Sequence, residues 1–146
     1  MVRMKRRTFL MAAGASALAA QTEGGTLLVQ VEYSGTGTVD ESHKIFVALW
    51  DTPDFVKGGA DVMPLGIKAI SSKSAAVQFD AVQKSPVYIG MIYDPSGKWD
   101  PQSGPPPAGS SAGIYSTEPG TPAPIEVKPG KTTKITAKLD DSFKLQ

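Results

Sequence analysis

The chain has 146 residues, no cysteine, one histidine, 15 glycines and 12 prolines. A length of this kind predicts one domain, and the missing thiols exclude disulfides, thiolate chemistry and cysteine-ligated zinc. Four of the fifteen basic residues lie within the first seven positions; the other eleven, all lysines, face fourteen acidic residues, so the body of the chain is mildly acidic and lacks arginine. That balance lacks the basic footprint and the bidentate base readers of a nucleic-acid-binding protein.

Residues 1–19 read as an export signal. A basic start (Arg3, Lys5, Arg6, Arg7) precedes a short apolar run at residues 9–18. Ala17 and Ala19 then occupy the −3 and −1 positions of an Ala-x-Ala cleavage site. The run is too short to cross a bilayer of about 30 Å as a permanent helix, so membrane contact is expected only in transit. Arg6-Arg7-Thr8-Phe9-Leu10 resembles the twin-arginine motif, with Lys5 where that pattern has Ser. The alternative is an ordinary secretion signal that contains two arginines. Either route predicts a periplasmic or extracellular protein.

After a polar lead-in at residues 20–25, a single domain is expected over residues 26–141 with a tail at 142–146. Residues 26–34 alternate, with Leu27, Val29, Val31 and Tyr33 on one face, as in a half-buried strand. Residues 43–51 are apolar on both faces and predict a central strand. A loop with Pro53 and Gly58-Gly59 follows, then short strands at 64–70 and 75–82. The organising stretch is residues 85–94, an apolar run of Val, Tyr, Ile and Met between Ser85-Pro86 and Asp94-Pro95. It is too short for a typical helix and predicts a strand buried on both faces. Residues 101–113, rich in Pro, Gly and Ser, predict a long functional or mobile loop. The chain is expected to re-enter the sheet briefly at Ile114-Tyr115. A strand at 124–128, a Pro129-Gly130-Lys131 reversal and a last strand at 131–140 predict a hairpin. In that last strand Thr133, Ile135, Ala137 and Leu139 are expected to face inward. These elements add up to an all-β, seven-stranded antiparallel sandwich of two sheets.

The strand Phe46-Val47-Ala48-Leu49-Trp50-Asp51, with Pro53 and Phe55 after it, resembles the second strand of small secreted transthyretin-like domains. These are prealbumin-like sandwiches that include the carboxypeptidase regulatory-like domains and bacterial families of unknown function. The likeness continues through the Tyr-x-Gly-x-x-Tyr-Asp strand at 88–94 and the Pro-Gly-Lys-Thr-Thr alternating end. The family's Asp/Asn/Gly-rich loop is shortened here to Asp94-Pro95-Ser96-Gly97-Lys98-Trp99-Asp100. The family's Pro-Gly-Thr-Tyr is replaced by Gln83-Lys84-Ser85-Pro86. The resemblance implies a secreted sandwich. Its hydroxyisourate-hydrolysing relatives use several His and Arg residues that the body of this chain lacks.

Three site readings follow. Asp94, Ser96 and Asp100 could hold calcium, which needs about six oxygen ligands; against this, Lys98 would set an ammonium beside the ion, and an Asx turn needs the same residues. Trp99 and Tyr115, on either side of the long loop, could stack on a carbohydrate or a protein partner, where packing is the plainer role. Asp51, Asp54 and Asp94 are the carboxylates from which an unrecognised catalytic site could be built. His43 alone supports neither a triad, there being no Gly-x-Ser-x-Gly elbow, nor a copper or zinc site. The favoured expectation is a non-catalytic exported binding or scaffold domain without a cofactor, and the first alternative is a calcium-dependent one.

Overall fold

The computed structural model describes residues 24–57 and 62–146; the export motif and cleavage site expected at Arg6, Arg7, Phe9, Leu10, Ala17 and Ala19 lie outside them. The described residues form seven strands: β1 (Gly25–Tyr33), β2 (Ile45–Trp50), β3 (Gly66–Ile70), β4 (Ser74–Val82), β5 (Tyr88–Tyr93), β6 (Ser111–Ile114) and β7 (Thr132–Leu139). A short 3-10 helix (Pro53–Lys57) follows β2. The strands form a three-stranded sheet, β4-β1-β7, and a four-stranded sheet, β3-β2-β5-β6. No helix among the described residues is long and apolar enough to cross a membrane.

The core is the set of side chains that period-2 alternation turns toward the other sheet. Leu27, Val29 and Val31 of β1 are wholly buried, as are Ile45 and Val47 of β2 and Ile89 of β5, with Met91, Ala137 and Leu139 at 1%. β1 follows strict alternation along its nine residues. β4 breaks it: the register against β1 slips between Gly25 and Leu27, and Ala81 takes a positive φ of 53°. Asp80 and Ala81 therefore both face out, and Val82 returns to the core at 7% exposure. This is the two-against-one arithmetic of a β-bulge.

Three features differ from the sequence reading. The sandwich is not purely antiparallel, because β7 lies parallel to β1 from Thr26↔Thr132 to Tyr33↔Leu139. The expected hairpin of residues 124–128 with β7 does not form. Pro122 and Pro124 supply no N–H for a ladder, and residues 123–127 instead close the end of the sandwich. Ile125 exchanges two backbone bonds of 2.9 Å with Val87, and the Val127 N–H donates to Ser85 Oγ at 3.0 Å. The chain then turns at Gly130 and crosses to the other sheet. Finally, the Pro-rich loop is shorter than expected, since residues 111–114 form β6 against β5.

The last residues are tied down as well. The Ala112 N–H donates to the Phe143 carbonyl at 3.0 Å, and Leu145 exchanges bonds with the backbone of Gly109 and Ser110. This pairing covers the outer edge of β6. Above it Asp141 gathers three elements: its carboxylate accepts from Tyr33 Oη at 2.6 Å, Ser111 Oγ at 2.9 Å and the Thr36 N–H at 3.0 Å. Burial and this carboxylate push the Tyr33 phenol up to about 12.

Candidate functional site

The two outer faces of the sandwich differ in chemistry. On the three-stranded sheet, Leu28, Gln30 and Glu32 of β1 lie beside Gln78, Ala76 and Ser74 of β4 and beside Lys134, Thr136 and Lys138 of β7. On the four-stranded sheet the residues that alternate with the core are Phe46, Ala48 and Trp50 of β2. Register sets Ile92, Gly90 and Tyr88 of β5 beside them, with Ala69 and Ile67 of β3 on one flank and Ala112 and Ile114 of β6 on the other. Ten positions carry no charge, which is why β2 and β5 read as apolar on both faces.

Aromatic residues from two loops roof the ends of this apolar face. At one end Phe55, from the 3-10 helix, stacks on Trp50 with centroids 5.0 Å apart and planes within 5°. Gly90 makes room for it: a Cβ there would come within 2.8 Å of the Phe55 ring. At the other end Trp99 meets Phe46 edge to face at 5.1 Å and 82°. The Trp99 indole N–H donates to the Gly104 carbonyl at 3.0 Å, so this ring anchors the start of the Pro-rich loop.

The loop carrying Trp99 is organised by Asp94. Only 3% exposed, this side chain accepts from the N–H groups of Ser96 (2.9 Å), Lys98 (3.1 Å) and Trp99 (2.9 Å). The Ser96 hydroxyl donates to the same carboxylate at 2.8 Å. Burial pushes the Asp94 pKa up, but these donors outweigh it and hold the group below the usual carboxylate range. Asp100 is used similarly, its side chain accepting from the Gln102 N–H at 2.9 Å. Donors aimed at both oxygens of Asp94 turn the positive ends of their dipoles to where a cation would sit. Asp94 with Ser96 and Asp100 with Gln102 thus make two separate Asx-type turns, and backbone donors already occupy the carboxylates expected to hold calcium. Among the described residues no cluster of three or more His, Cys, Asp or Glu could hold a metal ion.

Against this loop packs the turn at residues 40–44. Gly97, at φ 72°, lies so close to it that a Cβ would stand 2.2 Å from the Ser42 carbonyl oxygen. The turn is self-braced: His43 Nδ1 lies 2.8 Å from Asp40 Oδ1, and this hydrogen bond holds the Asp40 carboxyl below its ordinary value. Between turn and loop opens a shallow cleft of about 140 Å³, lined by Glu41, Ser42, Lys44, Phe46, Gly97 and Trp99 with Asp94 behind. Lys44 Nζ and Glu41 Oε2 are 3.9 Å apart at its rim. The cleft offers aromatic walls, a hydroxyl, an ammonium and a carboxylate, the groups that hold a small polar ring by stacking and hydrogen bonding.

Of the residues expected to form a binding platform, Trp99 lines this cleft and Tyr115 does not. Ile114 pairs with Gly90 on the outer face, so Tyr115 alternates to the inside, where it packs against the core. The expected carboxylate set is dispersed. Asp51 follows the end of β2 that pairs with Tyr88, whereas Asp94 follows Tyr93, six residues along β5. At about 3.4 Å per residue that is roughly 20 Å, outside the separations acid–base pairs use. Glu41, Ser42 and Lys44 went unread because nothing local marks a turn as a wall; the cleft exists only once Gly97 docks on it. No family model, curated protein or solved structure matches the chain.

Proposed function

We propose that this protein is an exported, non-catalytic sandwich of the transthyretin-like kind that binds a sugar-sized polar ring in the cleft between residues 41–46 and 94–99. The observation that carries this reading is the cleft itself. Phe46, Trp99, Glu41, Ser42 and Lys44 line it, between a loop fixed by Asp94 and a turn fixed by Asp40. A site held this firmly loses little conformational entropy on binding. Saturation-transfer NMR against a panel of neutral and acidic mono- and oligosaccharides tests it. Transfer to at least one sugar, lost in Trp99→Ala and kept in Tyr115→Ala, is expected; silence across the panel would end the carbohydrate reading.

Export rests on Arg6, Arg7 and the apolar run behind them. A twin-arginine route requires both arginines, whereas a general secretion signal reads charge and hydrophobicity alone. Arg6→Lys with Arg7→Lys should therefore leave uncleaved precursor in the cytoplasm, and normal processing after Ala19 would exclude the twin-arginine route.

A further inference from the structure

An open sandwich has four edge strands, each a row of unpaired N–H and C=O groups that other chains can extend unless something guards it. Three of the four are guarded here. The edge of β6 is covered by residues 143–145. On β3, Lys68 occupies the core-side register position opposite buried Val47, yet is itself exposed, so a charge lies where an added strand would bury it. β7 carries Lys134 and Lys138, which an antiparallel copy centred on Thr136 would set directly opposite each other. β4 has neither a lysine nor a proline, and no cover among the described residues.

We infer that the β4 edge is a self-association surface, on which a second copy of this chain adds its own β4 antiparallel about a two-fold axis. The bulge at Asp80–Ala81 twists the strand's end away, and β4 begins at Ser74, leaving residues 74–79 in regular register and, with Asp80 at the start of the bulge, seven residues able to pair. Pairing all seven centres the axis on Val77. Ala75 then faces Phe79 of the second copy, small against large, and Ala76 faces Gln78. Asp80, the single charge in the run, faces the hydroxyl of Ser74 rather than another charge. The edge is thus complementary to itself in charge and size, and the result is a continuous six-stranded sheet, β7-β1-β4-β4-β1-β7. One strand pair is smaller than the roughly 1,200 Å² at which specific interfaces begin, so the dimer is weak, with a dissociation constant on the order of 100 µM.

Sedimentation velocity of the purified protein from about 10 µM to about 1 mM, the range bracketing that constant, tests the pairing. The weight-average mass is expected to climb toward twice the monomer value. Ala76→Lys with Gln78→Lys puts like charges on directly opposed positions and should weaken association roughly tenfold or more. Both side chains are exposed, so the thermal midpoint should not move. An equimolar mixture of this variant with Ala76→Glu/Gln78→Glu should associate again, whereas Thr136→Lys on β7 should change nothing. A wild-type monomer throughout overturns the proposal and leaves the edge to an extended peptide of another protein. Association that survives the double lysine overturns it in favour of another surface. Failure of the Lys and Glu variants to combine overturns the Val77-centred register.

Discussion

Replacing Asp94 measures how much of the candidate site is held by one carboxylate. Asp94→Ala removes an acceptor of three backbone N–H groups and one hydroxyl, at 2.8–3.1 Å. Hydrogen bonds to a charged partner contribute about 1.5–3 kcal/mol each, but Ser96 and Lys98 are exposed and their N–H groups can turn to water. The costly losses are the Trp99 N–H and the tie it gives to Phe46, which places the total at about 2–4 kcal/mol. Asp94→Asn keeps one acceptor oxygen without the charge and should cost about half as much. Urea denaturation gives both values, and Trp99 fluorescence in the native baseline should shift to the red in the Ala variant as its loop loosens. The same titration with millimolar calcium should superimpose on the metal-free curve. Losses below about 1 kcal/mol for both variants would refute the reasoning, as would a calcium-dependent midpoint.

Ala81→Gly at the bulge relieves a left-handed backbone at an exposed position and should raise stability by up to about 1 kcal/mol, with Ala81→Val lowering it by at least as much; chemical denaturation decides. Ile89→Ala should cost about 2–5 kcal/mol and Lys134→Ala less than about 0.5 kcal/mol, because one side chain is wholly buried and the other faces water. For pH, Asp94 and Asp141 titrate lower in the folded chain than in the unfolded one, so their stabilisation is present above the ordinary carboxylate range and drains away as pH falls through and below it. Tyr33 has the opposite sign: raised to about 12, it stabilises fully below about pH 10 and loses that contribution between 10 and 12, so a Tyr33→Phe variant should flatten the alkaline limb of a melting-temperature profile.

What could be read beforehand was whatever local periodicity encodes. β1 and β7 declare themselves because a strand with one wet face must alternate, and β2 and β5 because both their faces meet apolar groups. β6 has no such signal: Ser111-Ala112-Gly113-Ile114 is a strand because β5 lies on one side and residues 143–145 on the other. The alternation of Phe143 and Leu145 was the available hint. The direction of β7 was hidden as well, since inward and outward residues repeat identically in parallel and antiparallel ladders. A hairpin is the shortest closure after Pro129-Gly130, but Pro124 lacks an N–H and the donors of Ile125 and Val127 are taken by Val87 and Ser85. In the site, Asp94's turn was legible from Asp-Pro-Ser-Gly, whereas Tyr115's inward direction depended on a register that one residue of slip reverses.

The parallel seating of β7 beside β1 has a consequence for how the protein comes into being. β1 is the middle strand of its sheet, and its partner on one side is synthesised more than a hundred positions later. Asp141, which fastens Tyr33, emerges later still. A ribosome therefore holds a chain whose first strand has one flank bare until residues 132–139 have emerged, and no nascent piece ending before them can bury the set Leu27, Val29 and Val31 on both sides. Closing a loop of that length carries an entropic cost that only the finished β1–β7 pairing offsets. Chains cut short before residue 132 should be recognised by chaperones and proteases as unfinished, with the exposed flank of β1 as the feature they find.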